Sequence, residues 1–412
     1  MLEVLDQTRL DYEVVFVDDA SRDDTRTIIE ELCATSERCR FVFHERNRGR
    51  GAAFKTGFVA STGRVTGFID IDLEVHAAYI PPLINLIERH GQDVAIGHRF
   101  YLLRQTGALH RYVLSQVYRA LLKMLLDCGV RDTETGCKFF RRETAGAAVL
   151  GSNADGWFWD TEVMARAALM DLRITEWPVL FLRRRDKAST VRLLPDTWRY
   201  LIELQRFRPK VGLALRGKSP IYWTCVGYDA VMRLLYGRNY RRSYADVSAR
   251  IPNGASVVDL CCGTGRLGLD FLRPRGCPYL GLEWNGHFVM GIRKRGGHAR
   301  SWNGLTDPIP AADYVTMCSS LYHFHDDADA MIQRMRAAAR VAVIVSEPVV
   351  NVSASSSRAV AGIARAFTNP GVGSHDARFD LESFRALAER QGASEMAWRP
   401  GDRNAVAVFR TR

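Results

Sequence analysis

Apolar runs along this chain alternate with stretches of helical spacing, and the alternation occurs in two separate blocks. In the first, Tyr12-Glu13-Val14-Val15-Phe16-Val17 reads as a buried strand and stops at Asp18-Asp19-Ala20-Ser21-Arg22-Asp23-Asp24-Thr25. Ile28, Ile29 and Leu32 then recur at helical spacing. Phe41-Val42-Phe43-His44 reads as a second strand, and Asn47-Arg48-Gly49-Arg50-Gly51-Ala52-Ala53 leads into a helix through small residues that let backbones approach. A third run, Gly67-Phe68-Ile69-Asp70-Ile71-Asp72-Leu73-Glu74-Val75, carries a carboxylate at every second position. Side chains alternate across a strand, so Asp70, Asp72 and Glu74 are expected to project together and to suit a hard cation, Mg²⁺ or Mn²⁺, shared with substrate phosphates. A solvated strand end before a helix is the alternative. Strands alternating with helices, with polar clusters at strand carboxyl ends, predict a parallel α/β sheet whose ligand lies outside those ends.

Between Arg208 and Pro220, Pro, Gly and positive charge replace hydrophobic periodicity, which predicts domains at 1–210 and 221–412 joined by a linker at 211–220. The second block opens with an aromatic and basic stretch, Tyr222 to Tyr244, expected to be helical and to cover a pocket. Ser256 to Leu260 is a predicted strand, Cys261-Cys262-Gly263-Thr264-Gly265-Arg266-Leu267-Gly268 a tight glycine turn, and Leu269 to Leu272 a continuing helix. Tyr279-Leu280-Gly281-Leu282-Glu283 is a strand ending in an acid.

Composition sets the scale. A chain of 412 residues with 47% hydrophobic content holds two domains of about 200 residues each. The nine cysteines are odd in number and scattered, with no CxxC pair, so neither a disulfide framework nor a structural zinc site is expected, and a reducing compartment fits. No apolar run approaches about 18 residues and the N-terminus is no signal peptide, so a cytoplasmic location is expected. Val113-Leu114, Val117-Tyr118, Leu121-Leu122 and Leu125-Leu126 form an apolar stripe flanked by Arg111, Arg119 and Lys123. It suits either a core-facing helix or peripheral contact at the inner face of a membrane. A net charge of +11 favours anionic partners, but nucleic acid is not expected, because no helix-turn-helix, RNP or zinc-finger pattern accompanies it.

Three motifs in order, Val17-Asp18-Asp19-Ala20-Ser21, Asn47-x-Gly49-x-Gly51-Ala52-Ala53-x-x-x-Gly57 and Asp70-x-Asp72, resemble the family 2 glycosyltransferases of GT-A fold, nearest the polyprenol-phosphate sugar synthases. Gly97-His98-Arg99-Phe100, Asp132 to Phe140, Trp157 to Glu162 and Arg184 to Val191 extend the likeness over about residues 10–205. The resemblance implies an inverting transfer from a nucleotide-sugar donor to a polyprenyl phosphate or glycan. Asp18, Asp19 and Asp70 would lie at the donor, and Asp70, Asp72 and Glu74 at the metal. Arg99, Arg185 and Lys187 would share the leaving diphosphate's charge. A phosphate acceptor is already anionic and a hydroxyl acceptor needs a base, for which Asp160 and Glu162 are the candidates; a helix N-terminus, with Asp160 as cap, is the alternative. Relatives open with a strand that helps hold the nucleotide base, whereas here Met1 begins inside the following helix. The chain is therefore expected either to start downstream of its natural start or to have lost part of the nucleotide site.

Asp259-x-x-Cys262-Gly263-x-Gly265, with Glu283 ending the next strand, resembles a class I S-adenosylmethionine-dependent methyltransferase over about residues 221–412. The family's first loop glycine is Cys261 here. The resemblance implies that Gly263 and Gly265 bring backbone close to the cofactor, that Asp259 orients its amino-acid end and that Glu283 accepts the ribose hydroxyls. His323 or His325 could serve as a base, or merely line the pocket. Gly263, Gly265 and Gly268 also fit a dinucleotide fingerprint, so an NAD(P)-dependent oxidoreductase stays as an alternative. The fold expected is thus α/β, two Rossmann-like domains, with either both catalytic or one acting as a binding or scaffolding module.

Overall fold

The computed structural model describes residues 1–72, 74–101, 126, 129–182, 193–213, 219–350 and 377–411. The loop carrying Arg185 and Lys187, almost all of the 113–126 stripe and half of the expected linker lie outside these residues. Two compact α/β units divide the chain, Met1–Arg208 and Pro209–Arg412.

In the first unit, β1 (Val14–Asp18) pairs in parallel with β2 (Cys39–Phe43), and β1 ends at the acidic turn before the helix Thr25–Ala34. Then come β3 (Val65–Ile69), β4 (Val94–Tyr101), β5 (Cys137–Arg141) and β6 (Ile174–Phe181). Their order is β3-β5-β4-β6, with β5 antiparallel to both neighbours and β4 parallel to β6. The sheet expected to be parallel is therefore mixed, because β5 inserts from the opposite direction; strand–helix alternation upstream does not specify the direction of a strand added later. Leu83 and Ile87 of the helix Ile80–Glu88 pack with Ala95, Cys137 and Val179 of the sheet. Phe54, Phe68 and Trp159 form a second cluster, with ring centroids 4.8–5.8 Å apart.

The second unit holds β7 (Val257–Leu260), β8 (Tyr279–Glu283), β9 (Ala299–Ser301), β10 (Ala312–Cys318), β11 (Ala339–Pro348), β12 (Glu395–Ala397) and β13 (Asn404–Arg410). They form one sheet in the order β12-β13-β11-β10-β7-β8-β9, parallel except for β13, which runs against β11 and β12. Val258, Val315, Val343 and Val345 are buried because helices cover both faces, which is why these strands read as continuous apolar runs. Strand order reverses at β7, flanked by β8 and β10, and such a switch point leaves a crevice at the strand carboxyl ends. The helix Cys225–Ser248 is interrupted at Gly237, whose φ of 50° and ψ of −127° break the helical path. Among the described residues no helix is long and apolar enough to cross a membrane.

Candidate active sites

The acidic turn after β1 is an organised structure. Asp18 is buried and accepts from the Ser21 N–H and from Arg26 Nε at 3.0 Å; burial pushes its carboxyl up, but these donors outweigh it and hold it below its ordinary value. Asp19 accepts from the Arg48 and Gly49 N–H groups at 2.8 and 2.7 Å and contacts His44 Nδ1 at 2.7 Å. The two sequence motifs, one after β1 and one before the helix Arg50–Ala60, are therefore one hydrogen-bonded loop pair.

Strand β3 ends at Ile69, and Ile71 and Asp72 lie in a turn. The period-two argument for a three-acid cluster fails there, because side chains alternate regularly only along a strand. Asp72 accepts the Glu74 N–H at 3.1 Å, and among the described residues no three His, Cys, Asp or Glu side chains converge as a metal site. Asp70 faces a cation instead: Arg50 Nη1 lies 2.7 Å from its Oδ1. Two carboxylates with substrate phosphates match the usual magnesium donor set, and the Asp70 side chain is 37% exposed, but no cluster of three with Glu74 forms among the described residues.

Arg50 also donates through Nε to Asp160 Oδ2 at 2.9 Å. Asp160 lies in the first turn of the helix Trp159–Leu169, only 1% exposed, and takes a second cation from the fully buried Lys138 of β5. It is not the helix cap, since Phe158 holds that position. Burial pulls the Arg50 pKa down but Asp160 and Asp70 raise it further, whereas burial dominates at Lys138 and lowers it. Arg50 also stacks over Phe68 and Trp157, at 5.1 and 5.4 Å from the ring centroids. Sequence reasoning missed Arg50 and Lys138; the basic residue inside the Gly-x-Gly motif was the available signal. Glu162 accepts from the Asn153 and Ala154 N–H groups and from Arg166, which commits both carboxylate oxygens. Arg99 forms a two-pronged pair with Asp132 at 2.7 and 2.8 Å.

In the second unit a cavity of about 460 Å³ opens at the carboxyl ends of β7, β8 and β10. Cys261, at φ 49°, adopts the left-handed conformation that a glycine would supply, and turns the chain into the loop. Glu283 lies on the wall and accepts from the Gly263 and Asn285 N–H groups, each at 2.8 Å. A Cβ placed on Gly263 would meet nothing within 4 Å, so the backbone here borders open space that a cofactor can fill. Gly265 closes the turn through its N–H to the Cys262 carbonyl and is not on the cavity wall.

Asp259 departs from expectation. It is 1% exposed beneath the loop, away from the cavity wall, accepting from Tyr279 Oη at 2.9 Å and Thr316 Oγ1 at 2.8 Å. Burial pushes its carboxyl up to about 7 against those two donors. The first acid of the motif thus braces β7 against β8 and β10 and is not among the residues on the cavity wall.

Tyr222, Tyr228, Tyr236 and Tyr244 line the cavity, as the aromatic stretch led one to expect. His323 lines the cavity and stacks on Tyr322 at 4.0 Å, while His325 turns to Asp326 and Phe379. Burial pushes the Cys261, Cys262 and Cys318 thiols well above the usual range.

The family model described as "Glycosyl transferase family 2" matches residues 1–146, and one described as "Methyltransferase domain" matches residues 221–394. Glycosyltransferase AglD of Haloferax volcanii is 31% identical over 169 residues, covering 41% of this chain and 27% of its own length. The dolichyl-phosphate beta-glucosyltransferase of Homo sapiens is 28% identical over 179 residues, covering 40% of this chain and 54% of its own. The chain thus spans about a quarter of the first relative and about half of the second. Among solved structures, magnesium protoporphyrin IX methyltransferase (ChlM) from Synechocystis PCC 6803 with bound SAH is similar at 16% identity and a TM-score of 0.35, over 46% of this chain and 97% of that one.

Proposed function

We propose that this chain, which joins a glycosyl transferase family 2 domain to a methyltransferase domain, transfers a sugar from a nucleotide-sugar donor to a polyprenyl phosphate and a methyl group from S-adenosylmethionine to a second acceptor. The observation that carries the choice of sugar acceptor is the state of the two candidate bases. Asp160 is held between Arg50 and Lys138, and Glu162 between two backbone N–H groups and Arg166. Both side chains are buried and their oxygens are taken up by these donors, which supports a nucleophile that needs no deprotonation. A phosphate monoester oxygen meets that requirement at neutral pH. It attacks the anomeric carbon as the bond to the nucleoside diphosphate breaks, and the diphosphate leaves with the bond's electron pair.

Asp70 and Asp72 would hold a divalent cation there, which when bound supplies Lewis-acid stabilisation of the diphosphate. Asp18 and Asp19, anchored on their loop pair, line the donor side. Arg185 and Lys187 are retained from the resemblance as further diphosphate contacts, while Arg99 acts by ordering Asp132. In the second unit Glu283 receives the ribose hydroxyls, the Gly263 backbone gives room for the cofactor, and His323 is the side chain placed to take a proton from a hydroxyl acceptor.

Sugar transfer from UDP- and GDP-sugars with Mn²⁺ should run to polyprenyl phosphate and not to polyprenol; equal transfer to polyprenol would overturn the phosphate mechanism. Calorimetry should show binding of S-adenosylhomocysteine. Binding of NADH alone would replace methyl transfer by hydride transfer.

A further inference from the structure

The methyl-acceptor half of the second cavity carries charge that the cofactor does not need. Glu283, at the end of β8, marks the ribose end. The other end of the cavity lies past β11 and β13, where Pro348, Arg378 and Arg403 reach the wall. Arg403 immediately precedes β13, and its carbonyl receives the Val349 and Val350 N–H groups, which fixes its backbone to the exit of β11. Its guanidinium lies over the Tyr236 ring, 3.4 Å from the centroid, and that of Arg378 lies over Tyr322 at the same distance.

Stacking fixes both guanidinium planes but leaves their edges unspent. Arg378 Nη1 and Arg403 Nε are buried with no hydrogen-bond partner, and neither residue forms an ion pair with a carboxylate among the described residues. The neighbouring Asp402 is taken by Arg242 at 3.1 Å. Glu347, which interacts with both arginines, is 1% exposed and directs its oxygens to the Leu321 and Tyr322 N–H groups at 3.0 and 3.3 Å. Burial pushes that carboxyl up to about 8 despite both arginines. Two half-buried guanidinium groups, each with one buried N–H that has no partner, leave positive charge at this end of the cavity, and a buried N–H without a partner is costly unless something fills it.

Resting on the methyltransferase reading above, we propose that the methyl acceptor carries an oxyanion, a carboxylate or a phosphate, that Arg378 and Arg403 bind through their free edges while Tyr236 and Tyr322 hold the guanidinium planes. Planar guanidinium forks stacked on aromatic rings are suited to that task, and the tyrosines add an apolar wall for the body of the acceptor. His323, beside Tyr322, is then within the same pocket as the group to be methylated.

The test titrates inorganic phosphate and, separately, malonate into the full chain saturated with S-adenosylhomocysteine, at constant ionic strength in chloride. One of the two should bind, which tells phosphate from carboxylate, and Arg378→Gln and Arg403→Gln should each weaken it at least tenfold while S-adenosylhomocysteine affinity stays unchanged. Because both substitutions leave the first unit intact, phosphate taken up by that unit cancels in the comparison. Should the glutamine variants fail to fold, Arg378→Lys and Arg403→Lys retain the charge and lose the fork, and the weakening should be at least threefold. Oxyanion binding that no variant changes would overturn the proposal. So would loss of S-adenosylhomocysteine affinity with oxyanion binding intact, which would assign the arginines to the cofactor's own carboxylate. Failure of S-adenosylhomocysteine to bind the wild type would instead sink the cofactor reading.

Discussion

Replacing Asp259 with Asn should make the second unit's stability less sensitive to pH. The carboxyl has an ordinary value of 3.8 and is pushed up to about 7 in the fold. A group raised on folding contributes stability that is fully present below its unfolded value and is lost as pH rises through its folded value. From pH 5 to pH 8 the wild type therefore ionises Asp259 in place, at about 1.4 kcal/mol for each of roughly two pH units, or about 2.7 kcal/mol. Asparagine keeps one acceptor for Tyr279 and Thr316 and does not titrate, so the variant loses none of this. Glu347, pushed up to about 8, titrates alike in both proteins and cancels. Urea unfolding at pH 5 and pH 8 measures the difference, read at the transition that S-adenosylhomocysteine shifts, because a chain of two units need not unfold in one step. Parallel pH profiles for wild type and Asp259→Asn would refute the buried, uncharged carboxyl.

Arg50→Gln should destabilise the first unit by about 3 kcal/mol, the cost of leaving a buried carboxylate with one cation fewer, and a wild-type urea midpoint would contradict the bridge between Asp70 and Asp160. Glu283→Gln should weaken S-adenosylhomocysteine about 10- to 100-fold, as expected for losing about 1.5–3 kcal/mol of charge-assisted hydrogen bonding, and unchanged calorimetric affinity would remove Glu283 from the site. Asp72→Asn should abolish most Mn²⁺-dependent sugar transfer while leaving S-adenosylhomocysteine binding alone; wild-type transfer in EDTA would exclude the metal.

Local pattern announced what local geometry decides. Glu283 could be read as a strand-end acid, and the residue at the glycine position, Cys261, does take the backbone conformation that position demands. The Tyr222 to Tyr244 stretch lines a cavity, as its aromatic content suggested. What escaped the sequence depends on distant partners. Arg50 and Asp160 are 110 residues apart and Asp259 and Thr316 are 57 apart, so nothing near Asp160 announced a cation pair and nothing near Asp259 announced a brace. The three-acid cluster is absent among the described residues for a local reason, since alternation was carried past the strand: β3 ends at Ile69 and all three acids follow it.

Tyr228, Met232, Tyr236, Tyr240 and Tyr244 succeed one another at intervals of four, and all five face one cavity. On an unbroken helix each step of four turns a side chain about 40° further round the axis, so the set would sweep about 160° and its ends would face nearly opposite ways. The break at Gly237 resets the phase halfway. The wall is thus two short panels joined at a corner. The panel before Gly237 packs Tyr228 against Phe288 and holds Tyr236 under Arg403, and the panel after it is tied back to the first where Tyr240 Oη donates to Asp229 at 2.8 Å. A side chain with a Cβ at position 237, where φ is 50°, would favour straightening, turn Tyr240 and Tyr244 out of the pocket and break the Tyr240–Asp229 hydrogen bond that joins the two panels.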